Sequence, residues 1–281
     1  MRKFSIQNEQ GVSWDLNGAA GVIFSTPEGL GARWKITTAD LGHGFFGELP
    51  VDTVPAEPVV GELKFLPPNA YATYRSFLRF LTGSGKLILS YCPYGSDVYL
   101  RQGRFEFLQK GELDQTRILT VPVSFSPFSP WYAPVDMELV LQEADDGDLT
   151  YPFTYPFTYP GSAYGSWTVE ISPAGDQPAS LVFSYAGELV DPVLTLTGAD
   201  SGTVYGRCAV TGTITGLQFS SQWLDSYVRD GAGNDLLDAV SPGTDPFFRV
   251  PTGERCILSF TSEDELSGSA TAAVNYFYRS V

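Results

Sequence analysis

The sequence predicts a mainly β protein of two domains. Three observations carry that expectation. Short apolar runs alternate with period two and are separated by Gly, Pro, Asn and Asp. One stretch alone reads as a convincing helix. A tandem aromatic–proline segment, Tyr151–Gly165, divides chain of different character on either side. The first domain, residues 1–142, is expected as a β-sandwich or barrel with one helix. The second, residues 167–281, is expected as an antiparallel β-sandwich. Residues 143–166 form the connector, acidic at first and then rich in proline and aromatics.

In the first domain, Phe4–Gln7 is followed by Asn8-Glu9-Gln10-Gly11, which suits a turn. Val12–Leu16 alternates as a half-buried strand does. Ala32–Thr38 is a further strand candidate, Pro50–Pro58 interrupts, and Val59–Leu66 resumes. Pro67-Pro68-Asn69 then signals a helix start, with Asn69 as N-cap. Tyr71, Tyr74, Phe77, Leu78 and Leu81 recur at spacings of three and four, one apolar stripe over Ala70–Thr82 that suits packing on a sheet. Arg75 and Arg79 lie on another side, as a solvated face or a subunit contact. Gly83-Ser84-Gly85 ends the helix and Lys86–Tyr91 returns as a strand. Tyr99–Glu112 and Ile118–Phe125 are two more strands, the second demoted toward an edge or bulge by Pro122. Phe125–Tyr132, FSPFSPWY, is a rigid aromatic exit.

The connector repeats Tyr-Pro-Phe-Thr twice before Tyr159-Pro160-Gly161. Each proline fixes φ near about -65° and turns its predecessor toward extended backbone. A stiff, polyproline-like link results, with Tyr151, Phe153, Tyr155 and Phe157 available to dock on a neighbour. Beyond it no helix is expected. Strands are expected at Trp167–Ile171, Ser180–Ala186, Pro192–Leu196, Val204–Val210, Gly212–Phe219, Trp223–Val228, Phe247–Val250, Cys256–Thr261 and Ala270–Tyr278.

At 281 residues, 43% hydrophobic and 17% charged, the chain has material for two cores. The net charge of -15 is uneven. Residues 1–142 carry 12 Lys and Arg against 14 Asp and Glu, whereas residues 143–281 carry 5 Arg against 18 acids. The near-neutral part suits close packing against proteins, and the acidic part repels nucleic acid and anionic membranes. The basic start MRKFSIQNEQG has no apolar stretch after it, so no signal peptide is expected, and no run of about 18 apolar residues suggests a membrane span.

Motifs for chemistry are absent, and no catalytic, cofactor or metal residue is expected. Cys92, Cys208 and Cys256 are odd in number and widely spaced, which fits neither a zinc site nor a disulfide framework. His43, the single histidine, lies between two glycines and reads as a turn residue. Asp225, Asp230, Asp235 and Asp238 lack calcium-loop spacing. Trp14, Trp34, Trp131, Trp167 and Trp223 have faces on which sugars stack, but core or interface packing is the ordinary role.

The order of parts resembles the distal tail (Dit) family of long, non-contractile siphophage tails. The likeness rests on Tyr71–Tyr91, on Phe125–Tyr132, and on a C-terminal pattern. That pattern runs through Pro192–Gly198, Trp223–Tyr227 and FFRVPTGERCILSFT (Phe247–Thr261) to Tyr276-Phe277-Tyr278-Arg279. The resemblance implies a tail-tube-like belt domain closing as a homohexameric ring between the tail tube and the adsorption apparatus. It also implies a galectin-like second domain facing outward toward fibre or receptor-binding proteins. The implied protein is a structural tail-tip or baseplate hub of the virion, assembled in the host cytoplasm, without enzymatic activity or cofactor. DNA passes through such a ring without specific binding. Arg75, Arg79, Trp131, Tyr132 and the connector aromatics are its candidate subunit or interdomain contacts. The galectin sugar-contact pattern is missing. A carbohydrate-binding module on host cell-wall glycans is the rival reading, and a cell-wall hydrolase a third.

Overall fold

The computed structural model describes residues 2–31, 37–42, 45–49, 57–95, 97–142, 165–223, 225–243, 245–264 and 266–281. Most of the connector, residues 143–164, lies outside them, as do the expected strand residues Ala32–Ile36 and His43. The chain divides into two compact units, residues 1–133 with 277–281, and residues 134–276. Residues 134–142, expected in the first domain, thus group with the second, and the last five residues return to the first.

The first unit contains β1 (Lys3–Asn8), β2 (Ser13–Asp15), β3 (Val22–Glu28), β4 (Thr37–Gly42), β5 (Phe45–Leu49), β6 (Val59–Phe65), α1 (Ala70–Thr82), β7 (Leu87–Cys92), β8 (Tyr99–Leu108), β9 (Leu119–Pro127) and the start of β10 (Trp131–Glu138). The strands β4 and β5 form a hairpin of their own. The main sheet runs β2-β1-β7-β8-β9-β6-β3, antiparallel throughout. It then meets itself. Asn17 bridges Ile23, Gly18 N–H donates to Val22 O at 2.8 Å, and Phe24 N–H donates to Leu16 O at 2.9 Å. The sheet is therefore a closed barrel, which removes its edges.

Asn17 makes that seam. Its side-chain amide accepts from Phe4 N–H at 2.9 Å and donates to Phe4 O at 2.8 Å, copying a strand partner. Asp15 holds the amide from the other side at 2.9 Å. Alternate residues of every barrel strand point inward, including Phe4, Ile6, Val22, Phe24, Leu63, Phe65, Leu87, Leu89, Val121, Val123 and Phe125, all buried.

The helix lies where the spacing predicts, with Tyr74 and Phe77 buried and Arg75 and Arg79 exposed. The Phe77 ring is surrounded by Phe65, Trp14, Phe80 and Phe105, with centroids 5.4 to 6.1 Å away. Asn69 occupies the N-cap position but its side chain caps nothing. Its φ of -110° and ψ of 31° leave the β region that aims a cap oxygen at the first-turn amides.

In this unit one strand expectation needs correction and one strand was missed. The strand β9 is interior, between β6 and β8. Pro122 is tolerated because an extended residue points N and C=O to one side. Its carbonyl accepts from Gln109 N–H at 3.0 Å, just past the end of β8. The missing N–H therefore faces a ladder that has already ended, after a bulge at Phe105/Phe107. The strand β3 escaped the sequence reading because Thr26, at φ 48°, and Pro27 break its alternation where the register shifts.

The second unit takes the rest of β10, then β11 (Val140–Gln142), β12 (Ser166–Ile171), β13 (Gln177–Val190), β14 (Val193–Gly198), β15 (Val204–Ala209), β16 (Thr213–Gln222), β17 (Asp225–Asp230), β18 (Cys256–Thr261) and β19 (Ser269–Tyr278). These make two sheets, β17-β16-β13-β19-β10 and β11-β12-β18-β14-β15. Phe183 and Tyr185 of the first sheet meet Phe260 of the second at 4.8 and 5.1 Å. The sandwich expectation holds, with a single turn of 3-10 helix at Leu237–Ala239 added. Phe247–Val250 is not a strand. It makes one bridge, Ala179 with Val250, because Phe248 leaves the plane of a ladder to fill the core. Its ring stacks on Phe219 at 4.9 Å, and a Cβ on Gly206 would come within 2.0 Å of it. No helix of the described residues is long and apolar enough to cross a membrane.

Substitutions separate the two cores. Asn17→Leu strands the Phe4 N–H, whose carbonyl keeps the Leu16 N–H, and costs about 1–3 kcal/mol. Phe77→Ala costs about 3–5 kcal/mol, while Arg75→Ala changes stability by less than about 0.5 kcal/mol. Urea unfolding checks all three. Gly206→Ala forces Phe248 out of the second core, and the loss of about 1–3 kcal/mol falls on the transition of that unit in calorimetry.

Candidate assembly surfaces

Redrawn on the observed units, the charge partition sharpens. Residues 1–133 with 277–281 carry 13 Lys and Arg against 12 acids. Residues 134–276 carry four Arg against 20 acids. A near-neutral unit of low surface repulsion and a strongly acidic one are therefore joined in one chain.

In the first unit the exit FSPFSPWY is locked onto β8. Phe128 N–H donates to Gln102 O at 2.7 Å, and Gln102 N–H donates to Ser129 Oγ at 3.0 Å. Arg101, only 5% exposed, donates from Nε to Ser129 O at 3.1 Å and lays its guanidinium over the Trp131 ring at 5.2 Å. Burial pulls this guanidinium down to about 10, against the opposing field of Glu57. Trp131 is 1% exposed and belongs to the unit's core, tilted on Tyr91. Tyr132 is buried beside Phe277, and burial raises its hydroxyl above the ordinary tyrosine value. Arg75 and Arg79 stand exposed on α1. Tyr151, Phe153, Tyr155 and Phe157 lie outside the described residues.

The second unit carries three surface features. The first is the turn before β18. Pro251-Thr252-Gly253 places Gly253 at φ +85°, and Glu254 follows. The Glu254 carboxylate accepts from the Tyr205 hydroxyl, and from Ser201 N–H at 2.9 Å. These donors, Tyr205 first, hold Glu254 below its ordinary value, and the bond to the carboxylate raises Tyr205 above its own. Arg255 beside it bridges Glu170 and Asp200, each at 3.0 Å. The second feature is a shallow groove of about 270 Å³ lined by Asp136, Met137, Glu138, Val182, Ser184 and Thr271–Ala273. It presents small residues and carboxylates with no aromatic ring. The third is Trp223, 73% exposed between β16 and β17, with the Arg249 guanidinium 4.7 Å over its ring. The sequence reading singled out Trp223 but not Arg249, which is distant in the chain and carries no local signal.

The chemistry available is meagre. Cys208 is buried and its thiol is pushed up to about 12, the wrong direction for a nucleophile. Burial also raises Cys256. No group of three or more His, Cys, Asp or Glu that could hold a metal ion occurs among the described residues.

Comparison with known proteins adds a family. Residues 3–128 match the family described as distal tail protein, N-terminal domain. Among solved structures, a chain of the phage P2 baseplate in its activated conformation is 12% identical. All of both chains is covered, with a TM-score of 0.65. The Dit protein of phage SPP1, titled a paradigm of hub adsorption apparatus in Gram-positive infecting phages, is also 12% identical. It covers 97% of this chain and 98% of that one, with a TM-score of 0.61. At such identity these two likenesses concern the fold. Compared with curated protein sequences, the chain finds no match.

Glu254 titrates with a defined sign. A carboxylate held low in the folded state stabilises above its unfolded value, and that contribution is lost as pH falls through the lowered folded value. The stability gap between the protein and Glu254→Gln is therefore full at neutral pH and closes as pH drops below 4.5, the ordinary value. Urea denaturation at stepped pH measures it.

Proposed function

The first domain of the chain belongs to the distal tail protein family, and on that premise we propose that the protein is the hub of a phage tail tip. Six copies close into a ring through the first unit, which joins the tail tube to the host-adsorption apparatus. The second unit faces outward and holds fibre or receptor-binding proteins. The role is assembly in the virion tail tip, put together in the host cytoplasm, with no reaction catalysed.

The family match over residues 3–128 carries this reading. The unit it covers is also suited to subunit packing. It is nearly neutral, and its barrel is closed, so the main sheet has no open edge that would pair without limit. Closed cyclic symmetry is the ordinary way to satisfy one repeated contact. The domain division proposed from the sequence at residues 142 and 167 leaves the aromatic connector as a spacer, with Arg75, Arg79, Tyr132 and the connector aromatics as proposed contacts. The acidity of the second unit keeps anionic polymers, DNA among them, from adhering.

One observation favours a carbohydrate-binding module as the second reading: Trp223 presents an open indole. The other described tryptophans do not. Trp131 is core, Trp14 packs on Phe77 and Phe80, and Trp167 is half-buried with its N–H enclosed. A glycan array of host wall polysaccharides checks it, and absence of binding removes it.

Light scattering with negative-stain electron microscopy tests the hub. The expected result is a six-fold ring with a central hole and six times the 30.6 kDa chain mass, formed alone or on mixing with tail tube protein. Persistent monomer in both conditions sinks the reading.

A further inference from the structure

The second unit holds four arginines among 20 acids. Arg255 shows what such an environment does to a cation, since it is bridged by two carboxylates. Arg249 and Arg229 behave differently. Among the described residues neither makes an ion pair, and each lies on an aromatic ring instead: Arg249 at 4.7 Å from Trp223, and Arg229 at 4.5 Å from Tyr227. Both rings belong to the β16–β17 hairpin, and Trp223 is the most exposed large hydrophobic residue of the unit. A guanidinium held over a ring without a carboxylate partner has N–H donors left for a carboxylate or phosphate. Tryptophan, tyrosine and arginine are also the residues in which interface energy concentrates.

The geometry points to this hairpin as a docking site for a partner protein that presents an Asp or Glu side chain next to an apolar residue. The apolar residue covers the open face of Trp223, and the carboxylate bridges the Arg249 fork, with Arg229 on Tyr227 as a second anchor. Charge selects a protein over a polyanion. Asp225 and Asp230 bound the same strand, and Asp235 and Asp238 follow it. A long anionic polymer meets the unit's 20 acids along its length and is repelled, whereas a partner that presents one carboxylate to the fork adds a single charge. The inference rests on the hub reading in one respect, since it draws the partner from the same virion.

The test uses the full chain and overlapping peptides tiling the fibre and receptor-binding proteins of that virion. Bound peptides are expected to share an Asp or Glu beside an apolar residue. Trp223→Ala and Arg249→Glu each weaken them about tenfold or more, and peptides with that acid replaced by Lys regain binding to Arg249→Glu. Both positions are exposed or at the rim, so melting temperature and ring mass are measured on each variant and are expected to stay at wild-type values. Absence of peptide binding overturns the proposal, as does binding that either substitution leaves unchanged. So does capture of hyaluronate or of neutral glycans, in place of peptides, at Trp223. Rings without peptide binding leave the hub standing and the docking site refuted; peptide binding without rings does the reverse.

Discussion

The first unit depends on how its sheet ends. A seven-stranded antiparallel sheet must hide two edges, and here they are hidden against each other at a seam only a few residues long. Asn17 supplies what the backbone cannot: its amide oxygen accepts from Phe4 N–H, its amide nitrogen joins Leu16 N–H on Phe4 O, and its own N–H is held by Asp15 at 2.8 Å. Once the barrel is closed, alternate residues have one interior to fill, and α1 can lay Phe77 among Phe65, Trp14 and Phe105. The helix position, the aromatic interior and the absence of free edges in this sheet follow from one constraint.

The second unit depends on packing between faces instead. Two sheets face each other, and Phe248 fills the core between them, on Phe219 from one sheet and against Gly206 of the other. That packing turns an apparent strand into an irregular segment, and it puts Arg249, the next residue, over Trp223. Core packing and the exposed patch are therefore coupled. The side chain that completes the sandwich also fixes the backbone that aims the guanidinium.

Much of this was legible in the residues. The helix stripe from Tyr71 to Leu81 needs only its own periodicity, and it appeared at Ala70–Thr82. The strands Cys256–Thr261 and Trp167–Ile171 likewise stand on local alternation. What failed depended on partners distant in sequence. Pro122 reads as an edge residue until the end of β8 is placed beside it. Val22–Glu28 reads as a broken run until β6 supplies its ladder. Phe247–Val250 alternates like a strand, yet the flanking Pro246 and Pro251 and the space over Gly206 decide otherwise. The surface followed the same rule. Arg229 and Tyr227 share a face at spacing two and were readable in principle, whereas nothing local joins Arg249 to Trp223.

Charge and fold then point the same way. If acidity served solubility alone, nothing would require it to respect the boundary between units, yet the first unit balances to within one charge while the second carries the whole excess. In the proposed ring, neighbouring copies of one unit carry the same net charge, so a large charge on that unit would oppose closure at every contact. Placing the excess on the other unit removes that repulsion from the ring. It leaves the acidic unit free to reject polyanions, with two guanidiniums over aromatic rings for the proposed partner. The segregation of charge is thus what the proposed hub, packing with itself through one unit and with others through the second, requires.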